Sequence, residues 1–156
     1  MSQVAGLHSA VRRFTIGDMS SPFTWRSRIR VVDTDVSTRI HYSALFRHLE
    51  AAETEFLRSL GLEYSRWFGM GLSLPRVHVE ADYLAPLGYD DEIDTEVRVE
   101  GIGESSLTLG FRVVKIATRE EGARGRLVGV CMDIQNGKST PIPPAIRLAL
   151  EQVQAG

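Results

Sequence analysis

The sequence predicts an α+β fold in which an antiparallel five-stranded sheet curls around one long central helix. One segment carries an apolar stripe at helical spacing, whereas most of the chain after it alternates apolar and polar residues with the period of two typical of strands. A long helix with a broad apolar stripe must be covered, and sequential strands joined by short turns favour antiparallel pairing. A sheet curled around the helix satisfies both demands.

Composition favours one ordinary globular domain. Of the 156 residues, 43% are hydrophobic and 24% are charged. Residues 1–18 show no clear periodicity, so we expect an N-terminal extension of unassigned role there, followed by a single domain over residues 19–156. The net charge of −2 and the pI near 6.1 argue against nucleic-acid binding.

The same composition guides expectations about location and redox chemistry. No apolar run is long enough to span a bilayer, and the amino terminus lacks the apolar core of a secretory signal. We therefore expect a cytoplasmic protein without membrane insertion. Cys131 is the single cysteine and has apolar neighbours, which favours a buried structural thiol over a nucleophile.

The first strand and the helix come early in the chain. Alternation predicts a strand from Phe23 to Val31, followed by a connection over residues 33–38. Ser43 has a residue type that caps helices, and Gly61 suits the C-terminal stop. The helix between them should span about 18 residues, or ~27 Å. Its apolar stripe comprises Leu45, Leu49, Ala52, Phe56 and Leu60.

Four strands are predicted after the helix and a short second turn at residues 63–68. Two alternating strands cover residues 77–83 and 93–99, and two longer ones, "SSLTLGFRVVKIAT" and "RLVGVCMDIQ", should form a hairpin through the turn "REEGARG". Because the last strand is apolar on both faces, we expect it at a subunit interface. "PIPP" then precedes a short helix over residues 145–153.

Two acids, Asp33 and Asp35, lie where the first strand stops and the helix has not begun. Carboxylates in such a connection often accept hydrogen bonds within the turn. A carboxylate just ahead of a helix can also act on a carbonyl group, because the free N–H groups at the helix start stabilise an oxyanion. The spacing alone favours the turn interpretation for both acids.

Four segments carry a family likeness: "VVDTD", "ALFRHLEAAETEFLRSLGL", "VEADYLAPLGYDDEIDTEVRV" and "VCMDIQNGKSTPIP". Over residues 23–146 the chain resembles the hotdog-fold acyl-CoA thioesterases, in particular the 4-hydroxybenzoyl-CoA thioesterase and tol-pal-associated thioesterase group. The resemblance implies hydrolysis of an acyl-CoA, or of an acyl chain on a carrier protein, to free acid and thiol. It also implies a homodimer or homotetramer with active sites at the dimer interface and no metal or other cofactor.

The resemblance assigns roles to particular residues. In such enzymes the second acid of the D-x-D motif is catalytic, which is Asp35 here, whereas Asp33 is left structural. The backbone N–H seven positions later, that of Tyr42, is expected to polarise the thioester carbonyl. Contacts to the acyl group or the pantetheine arm are implied for Ser73, Leu74 and Pro75.

The connection also departs from the family pattern. Thr38 replaces the usual glycine, Arg39 brings a charge where an apolar residue is common, and His41 and Tyr42 stand in exchanged order. His41 either binds substrate or fixes the turn. We expect His48 on an exposed or interfacial face of the helix, and the histidines have no metal-ligand spacing.

Glu53 is a second candidate acid. At 100° per residue it falls within the apolar arc of the helix, so it needs a partner or a raised pKa. In another branch of hotdog thioesterases the catalytic acid is a glutamate on this helix, which makes Glu53 an alternative catalyst. The other interpretation is a paired acid that bonds Arg47, Arg76 or a backbone group, and we favour it because ion-pair networks also perturb acids.

Two other functions remain open at this stage. One is a hotdog module that binds an acyl thioester without cleaving it, which the altered turn "DVSTRIHY" keeps open. The other is a hotdog dehydratase, although His41 does not match the histidine motif of that group. Incubation with a panel of acyl-CoAs and a thiol reagent would discriminate the first of these from hydrolysis.

Overall fold

The computed structural model describes residues 21–154, so the predicted extension over residues 1–18 lies outside the described part of the chain. The helices and strands follow one another as β1 Phe23–Arg28, α1 Ala44–Ser59, α2 Tyr64–Gly69, β2 Leu72–Ser73, β3 Arg76–Tyr83, β4 Glu92–Ile102, β5 Ser106–Lys115, β6 Glu121–Val130, β7 Met132–Asp133 and α3 Pro144–Gln154.

Five strands form one antiparallel sheet in the order β1-β4-β5-β6-β3, which confirms the predicted fold class. The short strands β2 and β7 form a separate ribbon. The connection from β3 to β4 is not a short turn between paired strands, because β5 and β6 lie between them in the sheet. Residues 84–91 therefore cross from one side of the sheet to the other.

Helix α1 packs its predicted stripe into the core. Leu45, Leu49, Ala52 and Phe56 are all buried, and α1 contacts β1 and β4. Gly61 adopts a φ of 68°, which ends the helix as predicted. Ser43 precedes the helix but makes no capping bond; its hydroxyl pairs with His41 Nδ1 instead.

The prediction for the last long strand is wrong in its bounds. Strand β6 already begins at Glu121, inside the segment predicted as a turn, and it ends at Val130. Its two faces also differ: Leu127 is buried in the core, whereas the opposite face carries Arg124, Arg126 and the half-buried Val128. Arg124 pairs with Glu121 of the same strand, and Arg126 pairs with Glu80 of β3 and Glu100 of β4, so the outer face is only partly apolar.

Two of the exposed apolar side chains lie on β3, at the edge of the sheet. Val77 is 62% exposed and Val79 is 47% exposed. One side of β3 pairs with β6, and the other side has no strand partner among residues 21–154. None of the helices in that range is long and apolar enough to cross a membrane.

Candidate active site

The turn between β1 and α1 is a small closed loop that carries Asp35. Thr34 and Ile40 form an isolated antiparallel bridge at its base. Inside the loop, the Asp35 N–H donates to the Arg39 carbonyl at 2.9 Å, and the Thr38 N–H donates to the Asp35 carbonyl at 3.0 Å. These bonds hold the Asp35 backbone while its side chain stays exposed.

Only one of the two Asp35 carboxylate oxygens accepts hydrogen bonds from the described residues. Its Oδ1 accepts the Ser37 hydroxyl at 2.5 Å and the Ser37 N–H at 2.7 Å, whereas its Oδ2 has no hydrogen-bond partner among the described residues. The hydrogen bonds from Ser37 hold the pKa of Asp35 below its ordinary value. At neutral pH the group is therefore a carboxylate with one free oxygen.

Thr38 occupies the position where the family pattern has glycine, and its backbone shows why. Its φ is 64°, in the left-handed region that a β-branched residue rarely adopts. The loop is held there by a bond from the Tyr89 N–H to the Thr38 carbonyl at 3.2 Å and by a bridge between Arg39 and Gly88. The left-handed conformation costs roughly 1–2 kcal/mol for a residue with a Cβ.

Tyr42 lies two residues ahead of α1, and its N–H has no acceptor among residues 21–154. An unpaired N–H just ahead of a helix lies close to the positive end of the helix dipole, so it can stabilise an oxyanion. The Tyr42 carbonyl accepts the Tyr83 hydroxyl from β3. His41 Nδ1 pairs with the Ser43 hydroxyl at 2.8 Å, and the centroid of its ring lies 4.4 Å from that of Tyr42.

A cavity of about 610 Å³ lies along α1, from Phe46 to Glu53. Most of its wall is apolar and includes the aromatic rings of Phe46, Tyr64 and Phe68. The remaining lining residues are Leu74, Pro75, Val79 and Leu127, together with the polar Glu50, Glu53, Ser73 and Arg76. Such a mixture of apolar wall and few polar groups is typical of small-molecule sites.

Glu53 lies in the wall of this cavity and is only 2% exposed, which confirms the predicted burial. Its Oε1 contacts Arg76 Nη2 at 2.5 Å, and Arg76 also donates to the Tyr64 hydroxyl and the Leu74 carbonyl. Burial raises the pKa of Glu53 in spite of this cation. Its Oε2 is buried without a hydrogen-bond partner.

The structure divides the predicted site residues into two groups. Glu53, Ser73, Leu74 and Pro75 line the cavity, and the buried Ser73 hydroxyl there also has no hydrogen-bond partner. The other group, Asp35, His41 and Tyr42, lies on the turn and is not part of the cavity wall.

Helix α1 connects the two groups. Phe46, the first residue of α1 that lines the cavity, follows Tyr42 by four residues in the sequence. The cavity then extends along the same helix past Glu50 to Glu53. The Tyr42 N–H therefore lies beyond the Phe46 end of the cavity.

Sequence reasoning missed two parts of this arrangement. Tyr64 was not singled out, because α2 reaches the cavity through long-range packing that leaves no local pattern. The prediction for His48 is wrong: it is 7% exposed, with Nδ1 2.9 Å from the Ser27 hydroxyl of β1. His48 lies on a face of α1 outside the predicted apolar stripe. That face is covered by β1 and by the 3-10 turn Val31–Asp33.

Among residues 21–154, no group of three or more His, Cys, Asp or Glu side chains could hold a metal ion.

Comparison with known proteins gives consistent matches. Residues 29–150 match the family described as the Thioesterase-like superfamily. An Aquifex aeolicus protein named "Putative esterase" is 33% identical over 127 residues, covering 80% of this chain and 94% of that protein. A 1,4-dihydroxy-2-naphthoyl-CoA hydrolase of Prochlorococcus marinus is 31% identical over 109 residues, covering 63% of this chain and 70% of that protein.

Solved structures show the same fold. The crystal structure of a 1,4-dihydroxy-2-naphthoyl-CoA thioesterase from Synechocystis superposes with a TM-score of 0.76 at 20% sequence identity. The superposition covers 82% of this chain and 94% of that one. At this identity the likeness concerns the fold alone.

Proposed function

This chain belongs to the Thioesterase-like superfamily and is an acyl-CoA thioester hydrolase, and on that premise we propose that Asp35 and the Tyr42 N–H perform the reaction. The observation that carries the proposal lies in the turn before α1. There, one oxygen of an ionised carboxylate and the N–H at the helix start both have no hydrogen-bond partner among residues 21–154. The first is a base or nucleophile, and the second is a donor for an oxyanion.

The reaction can follow two routes from this arrangement. Asp35 either attacks the thioester carbonyl carbon to give a mixed anhydride that water opens, or it takes a proton from a water that attacks. In both routes the carbonyl oxygen gains the electron pair and is stabilised by the Tyr42 N–H. The C–S bond then breaks, and the coenzyme A thiolate takes up a proton. The products are the free acid and the thiol.

We propose that the cavity along α1 takes the acyl group. The distance along the helix from Phe46 to Glu53 is seven residues, or ~10 Å, which suits an aromatic ring system. Phe46, Tyr64 and Phe68 offer ring faces, whereas Glu53 Oε2 and the Ser73 hydroxyl are buried without partners. A hydroxyl group on the acyl ring would satisfy such polar atoms.

This points to a hydroxylated aromatic acyl group. The substrate named for the Prochlorococcus relative, 1,4-dihydroxy-2-naphthoyl-CoA, belongs to that class. Ser73, Leu74 and Pro75 are then acyl-binding residues, and His41 holds the turn beside the carbonyl. Coenzyme A is proposed as the thiol carrier, with an acyl-carrier protein as the alternative carrier.

We also propose a homodimer formed through β3. Its open edge, with Val77 and Val79 exposed, is a long unpaired strand of the kind that proteins normally cover. Antiparallel pairing of β3 with the same strand of a second copy would satisfy both edges by two-fold symmetry. Two such dimers would make the homotetramer. Sedimentation at micromolar concentration should show at least twice the chain mass of 17.3 kDa, and a stable monomer would contradict the proposal.

The activity is tested with a panel of thioesters and a thiol reagent that reports free coenzyme A. The panel contains matched pairs: benzoyl-CoA with 4-hydroxybenzoyl-CoA, and 2-naphthoyl-CoA with a hydroxylated 2-naphthoyl-CoA. Straight-chain acyl-CoAs and an acyl-carrier protein thioester complete it. We expect turnover of the coenzyme A esters, with the largest kcat/KM for the hydroxylated aromatic member of each pair.

Two results would overturn parts of this proposal. Equal kcat/KM within each matched pair would remove the role of the polar cavity atoms. Binding of the same esters without release of any thiol would make the protein an acyl-thioester-binding module, the alternative that the altered turn at Thr38 and Arg39 leaves open.

A further inference from the structure

We propose that Asp33 is a positioning residue for the hydrolysis: its buried carboxylate fastens the turn that carries Asp35 to the first turns of α1. The inference rests on the proposed function for its kinetic consequence, whereas the fastening itself is a statement about the turn.

The Asp33 side chain is only 1% exposed, yet it lies two residues from the exposed Asp35. Its Oδ2 accepts the Arg30 N–H at 2.8 Å, and its Oδ1 accepts Arg47 Nη2 at 3.1 Å. His48 Nε2 lies 3.4 Å from Oδ2. One carboxylate therefore joins the segment before the turn to Arg47 of α1 by hydrogen bonding and packs against the next residue, His48, whose Nε2 makes no hydrogen bond within the described part of the chain.

The contacts continue on both sides of Asp33. Arg47 Nη2 also donates to the Val32 carbonyl at 3.3 Å, so the same guanidinium group holds the backbone and the side chain of the turn. His48 is fixed in turn by the Ser27 hydroxyl of β1. Strand β1, the turn and α1 thus meet at one buried charge.

The charge balance at this point is maintained by arginines. Burial lowers the pKa of His48, even with Asp33 beside it, so the ring is neutral at neutral pH. Arg47 and Arg30 supply the positive charge and keep their own side chains largely exposed. An unpaired buried carboxylate would be costly, so the structure holds Asp33 where these donors are.

The Asp33 backbone reaches the second reacting group. Its carbonyl accepts the His41 N–H at 2.8 Å, and His41 directly precedes Tyr42. A displacement of Asp33 would therefore shift the Asp35 carboxylate and the Tyr42 N–H together relative to α1. A shift of about 1 Å in such groups can cost ~10²-fold in rate.

A competing explanation is that the opposite side of the loop suffices to hold it. The Ile40 N–H donates to the Leu87 carbonyl at 2.8 Å, and the Tyr89 N–H donates to the Thr38 carbonyl. If these bonds fix the turn by themselves, Asp33 contributes only to stability, and its removal should leave turnover per folded molecule unchanged.

The experiment combines kinetics with amide hydrogen exchange on the full-length chain. Asp33→Asn keeps the side-chain shape and removes the charge. We expect its kcat to fall ~10- to 100-fold while KM changes less than about threefold, because the change moves reacting groups and not the cavity. The amides of Asp35, Thr38 and His41 should exchange about tenfold faster than in the unmodified protein.

A matched control and a double variant separate positioning from stability. Asp94→Asn removes a carboxylate of β4 that pairs with Arg26 at 2.9 Å and does not contact the turn, so kcat should be unchanged. In an Asp35→Asn background, adding Asp33→Asn should lower the residual rate by less than about threefold, because residues that act as a unit are not additive. If Asp33→Asn does not fold, Arg47→Gln cuts the same contact from an exposed side chain and should reproduce the kinetic pattern in weaker form.

Three outcomes overturn the inference. The first is unchanged kcat and unchanged amide exchange in folded Asp33→Asn or Arg47→Gln. The second is an equal loss of kcat in Asp94→Asn, and the third is a loss that falls on KM alone. If the unmodified protein cleaves no thioester but exchange at the turn still accelerates, the proposed function fails while the fastening by Asp33 stands.

Discussion

The turn before α1 and the cavity along α1 each contain a carboxylate with one unpartnered oxygen, but the two groups differ in every other respect. Asp35 is exposed, and hydrogen bonds from Ser37 lower its pKa. Glu53 is buried beside Arg76, and burial raises its pKa. The first is ready to act as a charged base or nucleophile, whereas the second is suited to hold a polar group in an apolar wall.

The difference shows that burial and partnership separate a reacting acid from a structural or binding one better than residue type does. Perturbed pKa values occur both at catalytic sites and in structural ion pairs. Here the more strongly buried acid has a cation for a partner, whereas the exposed acid lies in the turn that leads to the unpaired Tyr42 N–H. We assign the chemistry to the turn and the recognition of the acyl group to the cavity.

The largest effect is expected from Asp35→Asn. This change keeps the shape and the bonds from Ser37 but removes the basic oxygen, so kcat should fall ~10²-fold or more with the fold retained. Steady-state kinetics on the best thioester of the panel measures it, and circular dichroism checks the fold. Near-full activity of this variant would remove the turn from the chemistry.

Glu53→Gln should have a smaller effect on turnover. We expect kcat to stay within about tenfold and KM for hydroxylated aromatic esters to rise, while the free energy of unfolding falls by about 1–3 kcal/mol as Arg76 loses its charged partner. Glu50→Gln, on the same lining of the cavity, is the matched control and should leave stability unchanged. Abolished turnover in folded Glu53→Gln would identify the helix glutamate as the catalyst.

Ser73→Ala sharpens the comparison from the cavity side. The buried Ser73 hydroxyl has no partner in the free protein, so its removal should raise the free energy of unfolding by up to ~1 kcal/mol. Loss of the same hydroxyl should lower kcat/KM about fivefold for a hydroxylated aromatic ester and leave its unsubstituted match unchanged. A lower stability together with equal kinetics for both esters would show that the hydroxyl is structural.

Thr38→Gly should produce the smallest effect, confined to stability. Glycine adopts a φ of 64° without strain, so the free energy of unfolding should rise by about 1 kcal/mol, less the entropy that glycine gains in the unfolded chain. Chemical denaturation measures it, and kcat should stay within about twofold. A loss of stability would mean that the threonine side chain makes a contribution larger than its backbone strain.

Much of the fold could be predicted because it follows from the local periodicity of apolar residues. The stripe of α1 and the alternation of β4 follow from residue spacing, and the burial of Glu53 follows from its angle on the helix. The start of β6 was missed because Glu121 to Gly125 have turn-like composition, yet β5 and β3 pair with them on both sides. In this segment, pairing with β5 and β3 outweighs the local propensity to form a turn.

The site was less predictable for the same reason. The family resemblance indicated Asp35 and Tyr42, but no local pattern indicates that Tyr64 reaches the cavity or that His48 is covered by β1. Those contacts join segments far apart in sequence. The left-handed backbone at Thr38 was also hidden, since threonine gives no signal for it.

The pH dependence of kcat tests most directly that the ionised carboxylate of the turn is the reacting group. Catalysis by Asp35 requires its unprotonated form, and the lowered pKa of Asp35 means that a proton binds its carboxylate only at more acidic pH than usual. With the fold monitored at each pH, kcat should therefore stay level on the acid side from pH 7 to about 5 and fall only below the ordinary aspartate range near ~4. Glu53→Gln should show the same acid limb. An acid limb above the ordinary glutamate range, abolished in Glu53→Gln, would contradict the account and place the reacting acid in the cavity.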